Sequence, residues 1–350
     1  MLKPFAITKS IHSRGRPAAS HCGAHRLRAA ALKAAVSICA GLVISQAAIA
    51  QDYPNKSIEL VVPYPAGSTT DVVMRLFIEP LSASLGKPLV MNHIPGAGGI
   101  IGTERIAKQK PDGYTLGAAS SAHPSLPFLL AEFKLDPVKD FTPICMFGRQ
   151  PIVALINPTF PAQTAKEFIA QVRANPGKYN YAVHSGQVEL DFGSMAKLGN
   201  LSMVGVQYRG GPQAIAGVLG NEVHIMITGF ASAKPLMDSG RMRAIAISSG
   251  ETFAGLGGVD NLPQMSEEIA GYRGSSAWWG LIGPPGLPDA VVQKVSEACN
   301  TALRSESIRS RMRELLILPA TGAPNELRDR ITGDVENTRK QVAQTGVKPR

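Results

Sequence analysis

The chain has 350 residues and a formal charge of +10, with 44% hydrophobic and 18% charged residues. That basic balance would suit a nucleic-acid binder, but its distribution excludes one. Lys3, Lys9, Arg14, Arg16, Arg26, Arg28 and Lys33 lie in the first fifty residues, which hold no acid, and removing these seven charges leaves +3 for residues 51–350. No basic run remains there for nucleic acid, and no later apolar run approaches the ~20 residues of a membrane span.

Residues 1–50 read as a secretory signal peptide: a basic stretch, an apolar segment over about 34–48, and the small-x-small end Ala48-Ile49-Ala50, which predicts cleavage after Ala50 and a soluble product in the periplasm. Cys145 and Cys299 then remain. Export permits a disulfide, but spacing alone does not pair them. Cys299 lies on an apolar helical face with Val292 and Val295, so two buried free thiols are expected and a disulfide stays open. With no Cys-x-x-Cys and no close His pair, no metal site is expected.

The first element is a strand over 58–62, the β-branched run Ile58-Glu59-Leu60-Val61-Val62. A turn follows, Pro63-Tyr64-Pro65-Ala66-Gly67-Ser68-Thr69-Thr70-Asp71, and then a helix with Val72, Val73, Leu76, Phe77, Leu81 and Leu85 at helical spacing, stopped by Gly86-Lys87-Pro88. Such a strand–loop–helix unit aims backbone N–H groups and hydroxyls at the strand's carboxyl end, where open α/β sheets bind ligands and a helix N-terminus favours an anion. A strand over 89–91 leads to Pro95-Gly96-Ala97-Gly98-Gly99. This cluster misses the dinucleotide fingerprint, since Ile101 stands where the third glycine belongs and Gly102 comes one residue late. No cofactor is expected; the glycines serve a tight turn and close approach of strand and helix.

A strand over 114–118 ends in a second hydroxyl-rich loop, Ser120-Ser121-Ala122-His123, and 136–143 reads as a proline-marked connector. Further strands are predicted over 152–156, 179–183, 204–208, 222–227, 243–247 and 276–282. Thr164 and Glu167 form a capping box, and 289–303, 307–316 and 326–344 are helical. Loops after two of these strands, His184-Ser185-Gly186-Gln187 and Thr228-Gly229-Phe230, repeat the pattern. Strands alternating with helices define an α/β fold with mainly parallel sheets, and six units over 300 residues suit two lobes better than one.

Ordered motifs along residues 51–350 carry a resemblance: Tyr53-Pro54-Asn55-Lys56-Ser57-Ile58, the Pro63…Gly67…Thr70-Asp71 turn, Asn92-His93-Ile94-Pro95-Gly96-Ala97-Gly98-Gly99, Pro111-Asp112-Gly113-Tyr114, Asp136-Pro137-Val138-Lys139-Asp140-Phe141-Thr142-Pro143, Tyr208-Arg209-Gly210-Gly211 and Trp279-Gly280-Leu281. The chain resembles the extracytoplasmic receptors of tripartite tricarboxylate transporters, the Bordetella-uptake-gene or TctC-like family. The resemblance implies a two-lobed periplasmic-binding-protein-like fold with two crossover strands near 152–156 and 277–282. Lobe one would be 52–150 plus 283–350, and lobe two 151–276. It implies a monomeric, non-catalytic receptor that closes on a small carboxylate for membrane permease subunits or a sensor kinase. It also implies a ligand set of Gly67, Ser68, Thr69, Thr70 and Asp71, with Ser120, Ser121 and His123, and from lobe two Ser185, Gly186, Gln187, Thr228, Gly229 and Phe230. Two departures from the family pattern stand out: Ser68 replaces a glycine of the first turn, and the 184–190 loop has lost small residues and hydroxyls, so ligand identity does not carry over.

Asp71 has two readings, as an orienter of its loop or as a partner of a ligand amino group through water. His123 and His184 are either pH-sensitive ligand donors or backbone hydrogen-bonders. Trp278 and Trp279 suit packing of the return strand, or an aromatic wall; Arg209 suits solvent. The competing class, an exported Ser-His-Asp hydrolase, lacks any G-x-S-x-G elbow, and the pairs Ser121/His123 and His184/Ser185 are neighbours in sequence only.

Overall fold

The computed structural model describes residues 53–253 and 255–349; the expected signal segment, 1–50, lies outside them. Its strands sort into two sheets. The first holds β1 (Ile58–Val62), β2 (Leu89–His93), β3 (Thr115–Ser120), β4 (Thr142–Gln150), β10 (Ala277–Gly283) and β11 (Leu318–Pro319), in the order β11-β4-β10-β3-β1-β2. The second holds β5 (Ile152–Ile156), β6 (Tyr179–Val183), β7 (Met203–Gln207), β8 (Ile225–Gly229) and β9 (Arg243–Ile247), in the order β7-β6-β8-β5-β9.

Within the first sheet β1 pairs in parallel with β2 and β3, while β10 runs antiparallel between β3 and β4. In the second, β6 pairs in parallel with β7 and β8, and β5 runs antiparallel between β8 and β9. Each sheet is thus one-directional in its strand–helix units and mixed where the chain enters or returns. The connector expected over 136–143 gives way to β4 from Thr142 onward. Ile144, Cys145, Met146 and Phe147 are all buried, so β4 is covered on both faces and offers no alternation to read.

Helices cover both faces of the first sheet, and the pleat divides its side chains between two cores. Ile58, Leu60 and Val62 pack with Phe77 and Leu81, whereas Val61 packs with Ile106, Leu327 and Ile331. Trp278 and Trp279 follow the same rule, one into each core, and both are buried. They are packing residues. Gly102 lets the 100–107 helix close on β1, because a Cβ there would stand 2.6 Å from the Ile94 carbonyl oxygen and 2.7 Å from Pro63 Cα.

Cys145 on β4 and Cys299 on the Asp289–Arg304 helix form a disulfide, with Cα atoms 6.6 Å apart. This corrects the expectation of two free thiols. The two residues are 154 positions apart, and only the packing of that helix on the β4 face brings them together.

The chain passes from one sheet to the other through a single residue. β4 ends at Gln150, β5 begins at Ile152, and Pro151 lies between them. The Phe230 N–H donates to the Pro151 carbonyl at 2.9 Å, and Ser248 N–H donates to Ile152 at 2.7 Å. The return crossing lies alongside: Ser249 bridges Gly274, and Ala277 pairs with Gln150. Both crossings therefore fall just ahead of the segments 152–156 and 277–282, which are themselves paired inside their own sheets.

The C-terminal helix, Pro324–Thr345, spans both bodies. Leu327 and Ile331 pack on the first sheet, while farther along Gln341 donates to Asp191 at 2.8 Å and Ser194 donates to Gln344 at 2.7 Å, both on the Gly186–Gly199 helix. Beside the crossings, Arg330 pairs with Glu251 and, at 2.9 Å, with Asp334; Arg149 reaches Glu251 at 2.9 Å. Ser276 donates to Glu251 at 2.8 Å, and the Trp278 indole to Asp334 at 2.7 Å. Burial pushes the Glu251 and Asp334 carboxyls up. The cations and donors reverse this for Glu251 but not for Asp334, whose pKa stays raised.

Two outcomes follow. Arg330→Met leaves two largely buried carboxylates without their shared cation and is expected to cost roughly 3–5 kcal/mol of unfolding free energy in urea titration. Reducing the Cys145–Cys299 bond, or replacing both residues by Ser, is expected to lower stability by about 2–4 kcal/mol, read as a fall in the thermal midpoint with reductant.

Candidate functional site

β1 to β4 share one direction, so the first sheet presents the ends of β1, β2 and β3 at the same edge from which β4 departs through Pro151. β5 starts beside the carboxyl end of β8, Ile152 opposite Gly229. The carboxyl edges of the two sheets therefore face each other across the crossings. All four loops singled out in the sequence lie on these edges.

The first turn is built from its own side chains. Ser68 caps the Thr69–Leu85 helix, its Oγ accepting from Asp71 N–H at 3.2 Å. Asp71 is buried. One oxygen accepts from Gly67 N–H at 2.8 Å and from Arg75 Nε at 3.0 Å, and the other meets His93 Nε2 at 2.7 Å. Burial raises its pKa, but these donors outweigh burial and bring it to about 2. Its oxygens are thus engaged by the protein in holding the loop. Gly67 and Thr69 are exposed, Ser68 is half-buried, and Thr70 is buried.

The second loop divides. Ser120 Oγ lies 3.2 Å from the Tyr64 hydroxyl, and Ser121 is half-buried with its N–H on the Trp278 carbonyl at 3.2 Å. His123 is buried edge-on against Phe141 with Nε2 3.0 Å from the Pro137 carbonyl oxygen. Burial lowers its pKa to about 4, against the opposing pull of that carbonyl. In this structure it hydrogen-bonds backbone beneath the loop, the second of the two readings its position in the sequence allowed. His184 sets Nε2 on the Ile227 carbonyl at 3.0 Å. Among the described residues no histidine nitrogen is hydrogen-bonded to a serine hydroxyl, so the parts of a triad are not assembled.

In the second body, Ser185 caps the Gly186–Gly199 helix, its Oγ accepting from Val188 N–H at 3.3 Å. Gln187 Nε2 is shared between Asp191 at 3.1 Å and Gln341 at 3.2 Å. Thr228 and Gly229 sit at the crossing. Phe230 is wholly buried in the core with Val153, Met226 and Phe253, so its side chain cannot touch a ligand as the sequence suggested; only its N–H stays at the crossing, on Pro151.

A cavity of about 300 Å³ opens between the two bodies. Gly98, Ala122, Ser125, Leu126, Leu129 and Leu130 line it from the first body, Ser185, Gly186, Gln187 and Glu189 from the second, and Val347 and Lys348 from the C-terminal tail. The structure thus brings the 185–187 loop together with Ala122 of the second hydroxyl loop and residues just past it, and the first turn does not line this cavity. Leu126, Leu129, Leu130 and Lys348 were not singled out in the sequence. An apolar run, Leu126-Pro127-Phe128-Leu129-Leu130, directly after a hydroxyl-rich loop was the available signal; for Lys348 there was none. A more open depression of about 710 Å³, lined by Lys56, Glu59, Gln109 and Lys110 among others, lies at the opposite end of the first sheet and touches that body alone.

Two sheets meeting edge to edge around a cavity, with one helix N-terminus opening onto it, are the architecture of a solute-binding receptor. The chain belongs to the tripartite tricarboxylate transporter family of receptors, whose model matches residues 73–345. Receptors of this family are periplasmic binding proteins, not enzymes. Protein BugT of Bordetella pertussis is 29% identical over 325 residues, covering 88% of this chain and 96% of its own. The periplasmic binding protein BugD superposes with a TM-score of 0.69 at 26% identity, over 85% of this chain and all of its own. MatC from Rhodopseudomonas palustris, solved with bound malate, gives 0.68 at 27% identity, over 83% of this chain and 100% of that one.

Asp71 sets a pH test. Because its folded pKa lies below the ordinary 3.8, its contribution to stability is complete above about pH 4 and is lost as pH falls towards 2. Asp71→Asn is expected to lower the unfolding midpoint at pH 7, and the gap to the parent protein should close between pH 4 and pH 2.

Proposed function

We propose that the chain captures a small organic carboxylate in the cleft between its sheets and delivers it to the permease subunits of a tripartite transporter. The observation that carries this reading is the capped helix N-terminus at Ser185-Gly186, opening onto a cavity walled by both bodies. A relative crystallised with malate supports the ligand class. Gly67, Ser68, Thr69 and Thr70 with Ser120 and Ser121 would meet the ligand from the first body, and Ser185, Gly186 and Gln187 with Thr228 and Gly229 from the second. The bodies that close are residues 53–150 with 277–350, and 151–276. Export with cleavage after Ala50 would place a monomeric receptor in the periplasm. A sensor kinase is the alternative recipient.

Thermal unfolding against a panel of mono-, di- and tricarboxylates, acidic amino acids and aromatic acids tests this. A ligand at a hundredfold excess over its Kd stabilises the folded state by about 2.7 kcal/mol, so at least one acid should raise the midpoint by several degrees. Ser185→Ala should weaken that ligand about tenfold. A flat response to the whole panel would sink the receptor reading, and unchanged affinity in Ser185→Ala would remove this helix from the site.

A further inference from the structure

We infer that the buried Asp191 is a positioning residue that couples the cavity to the return crossing, so that ligand capture and closure of the two bodies are one event. This deepens the receptor reading above and rests on it. Asp191 lies one turn on from Gln187 along the Gly186–Gly199 helix, on the same face. Its Oδ1 accepts from Gln187 Nε2 at 3.1 Å, and Gln187 lines the cavity. The same oxygen accepts at 2.8 Å from Gln341 Nε2, on the helix whose Leu327 and Ile331 pack on the first sheet. Ser275, in the return crossing, donates its N–H to both oxygens at 3.3 Å and its hydroxyl to Oδ2. One fully buried carboxylate thus holds a cavity residue, the helix anchored on the first body, and the chain segment between the bodies.

Gln187 has no place of its own in this arrangement. Its Nε2 is also 3.2 Å from Gln341 Oε1, so the amide sits between an acceptor on its own helix and one on the C-terminal helix. The neighbours of Ser275 are held differently. The Arg273 carbonyl accepts from Asn337 at 3.2 Å and from Gln341 at 3.3 Å, while Ser276 bonds to Glu251 and Arg330. Of the three, Ser275 is the residue tied directly to the helix that opens on the cavity. Turning one body against the other changes the backbone at the crossing, and the donors on Asp191 move with it. A carboxylate removed from water is costly to leave without donors, so Gln341, Ser275 and Gln187 keep or change their places together. A ligand that fixes Gln187 therefore favours one position of Ser275, which is the differential contact that closure requires.

Calorimetric titration and small-angle X-ray scattering of the purified protein test this, with acetate, malate, citrate, glutamate and benzoate as probes. The acid that binds tightest is carried through the variants. Ser275→Ala is expected to weaken it about fivefold and to reduce the contraction of the molecule at saturation, although Ser275 does not line the cavity. Ser275→Thr keeps the hydroxyl and should restore affinity to within about twofold of the parent. Ser276→Ala removes a crossing bond that does not reach Asp191 and should leave affinity unchanged. In an Asp191→Asn background, adding Ser275→Ala should cost less than about twofold further, because the path is already broken. Unchanged affinity and contraction in Ser275→Ala, with only a lower unfolding midpoint, would leave Asp191 a structural role and overturn the inference, while the receptor reading stands. Equal losses in Ser275→Ala and Ser276→Ala would overturn it as well, since any loosening of the crossing would then suffice. Silence from all the acids would remove the receptor reading and the inference together. The Ser275 variants decide the matter even where Asp191→Asn does not fold.

Discussion

The structure depends on one covalent constraint, the passage from β4 to β5 through Pro151 alone. With one residue between them, two strands in different sheets cannot drift apart, and the sheets must meet at the edge where β4 ends. Because β1, β2 and β3 point the same way as β4, that edge also carries their loops. The second sheet offers the edge that β5 enters, which is where β8 ends. The cleft is therefore a consequence of strand direction and a short crossing, before any ligand chemistry is considered. The hydrogen bond from Phe230 to Pro151 fixes the second sheet's loop to the crossing itself.

On this frame the C-terminal helix sets how the two bodies sit. It is held to the first sheet by apolar contacts and to the second body by amides, Gln341 on the fully buried Asp191 and Gln344 on Ser194. Burial raises the Asp191 pKa, and donors from Ser275, Gln341 and Gln187 oppose it. Gln187 is thus part of the mounting of a helix whose N-terminus faces the cavity. The ion cluster of Arg330, Glu251, Asp334 and Arg149 lies beside the crossings, so relative motion of the bodies acts on charges already removed from water.

Much of this was legible in the chain. The runs at 58–62, 152–156, 179–183 and 243–247 are apolar, short and bounded by breakers, and each is a strand with those bounds. Thr164 announced its helix by capping chemistry. What was not legible depended on distant partners. β4 lost its alternation because both its faces are covered. The disulfide joins residues that only helix packing brings together. His123 and Phe230 follow strand ends, as ligand residues do, yet their side chains turn into the cores, and no spacing rule distinguishes those directions. Lys348 reaches the cavity from a tail that sequence order places far from every loop of the cleft.

The disulfide has a topological consequence. Cys145 precedes the whole of the second sheet in the chain and Cys299 follows it, so the bond closes a covalent ring that contains both crossings and everything between them. A single protease cut anywhere inside that ring opens a loop without releasing a fragment. In an oxidising compartment shared with proteases, a nicked molecule would keep its two halves tethered at the first sheet, and its cleft could still reassemble from one covalent unit.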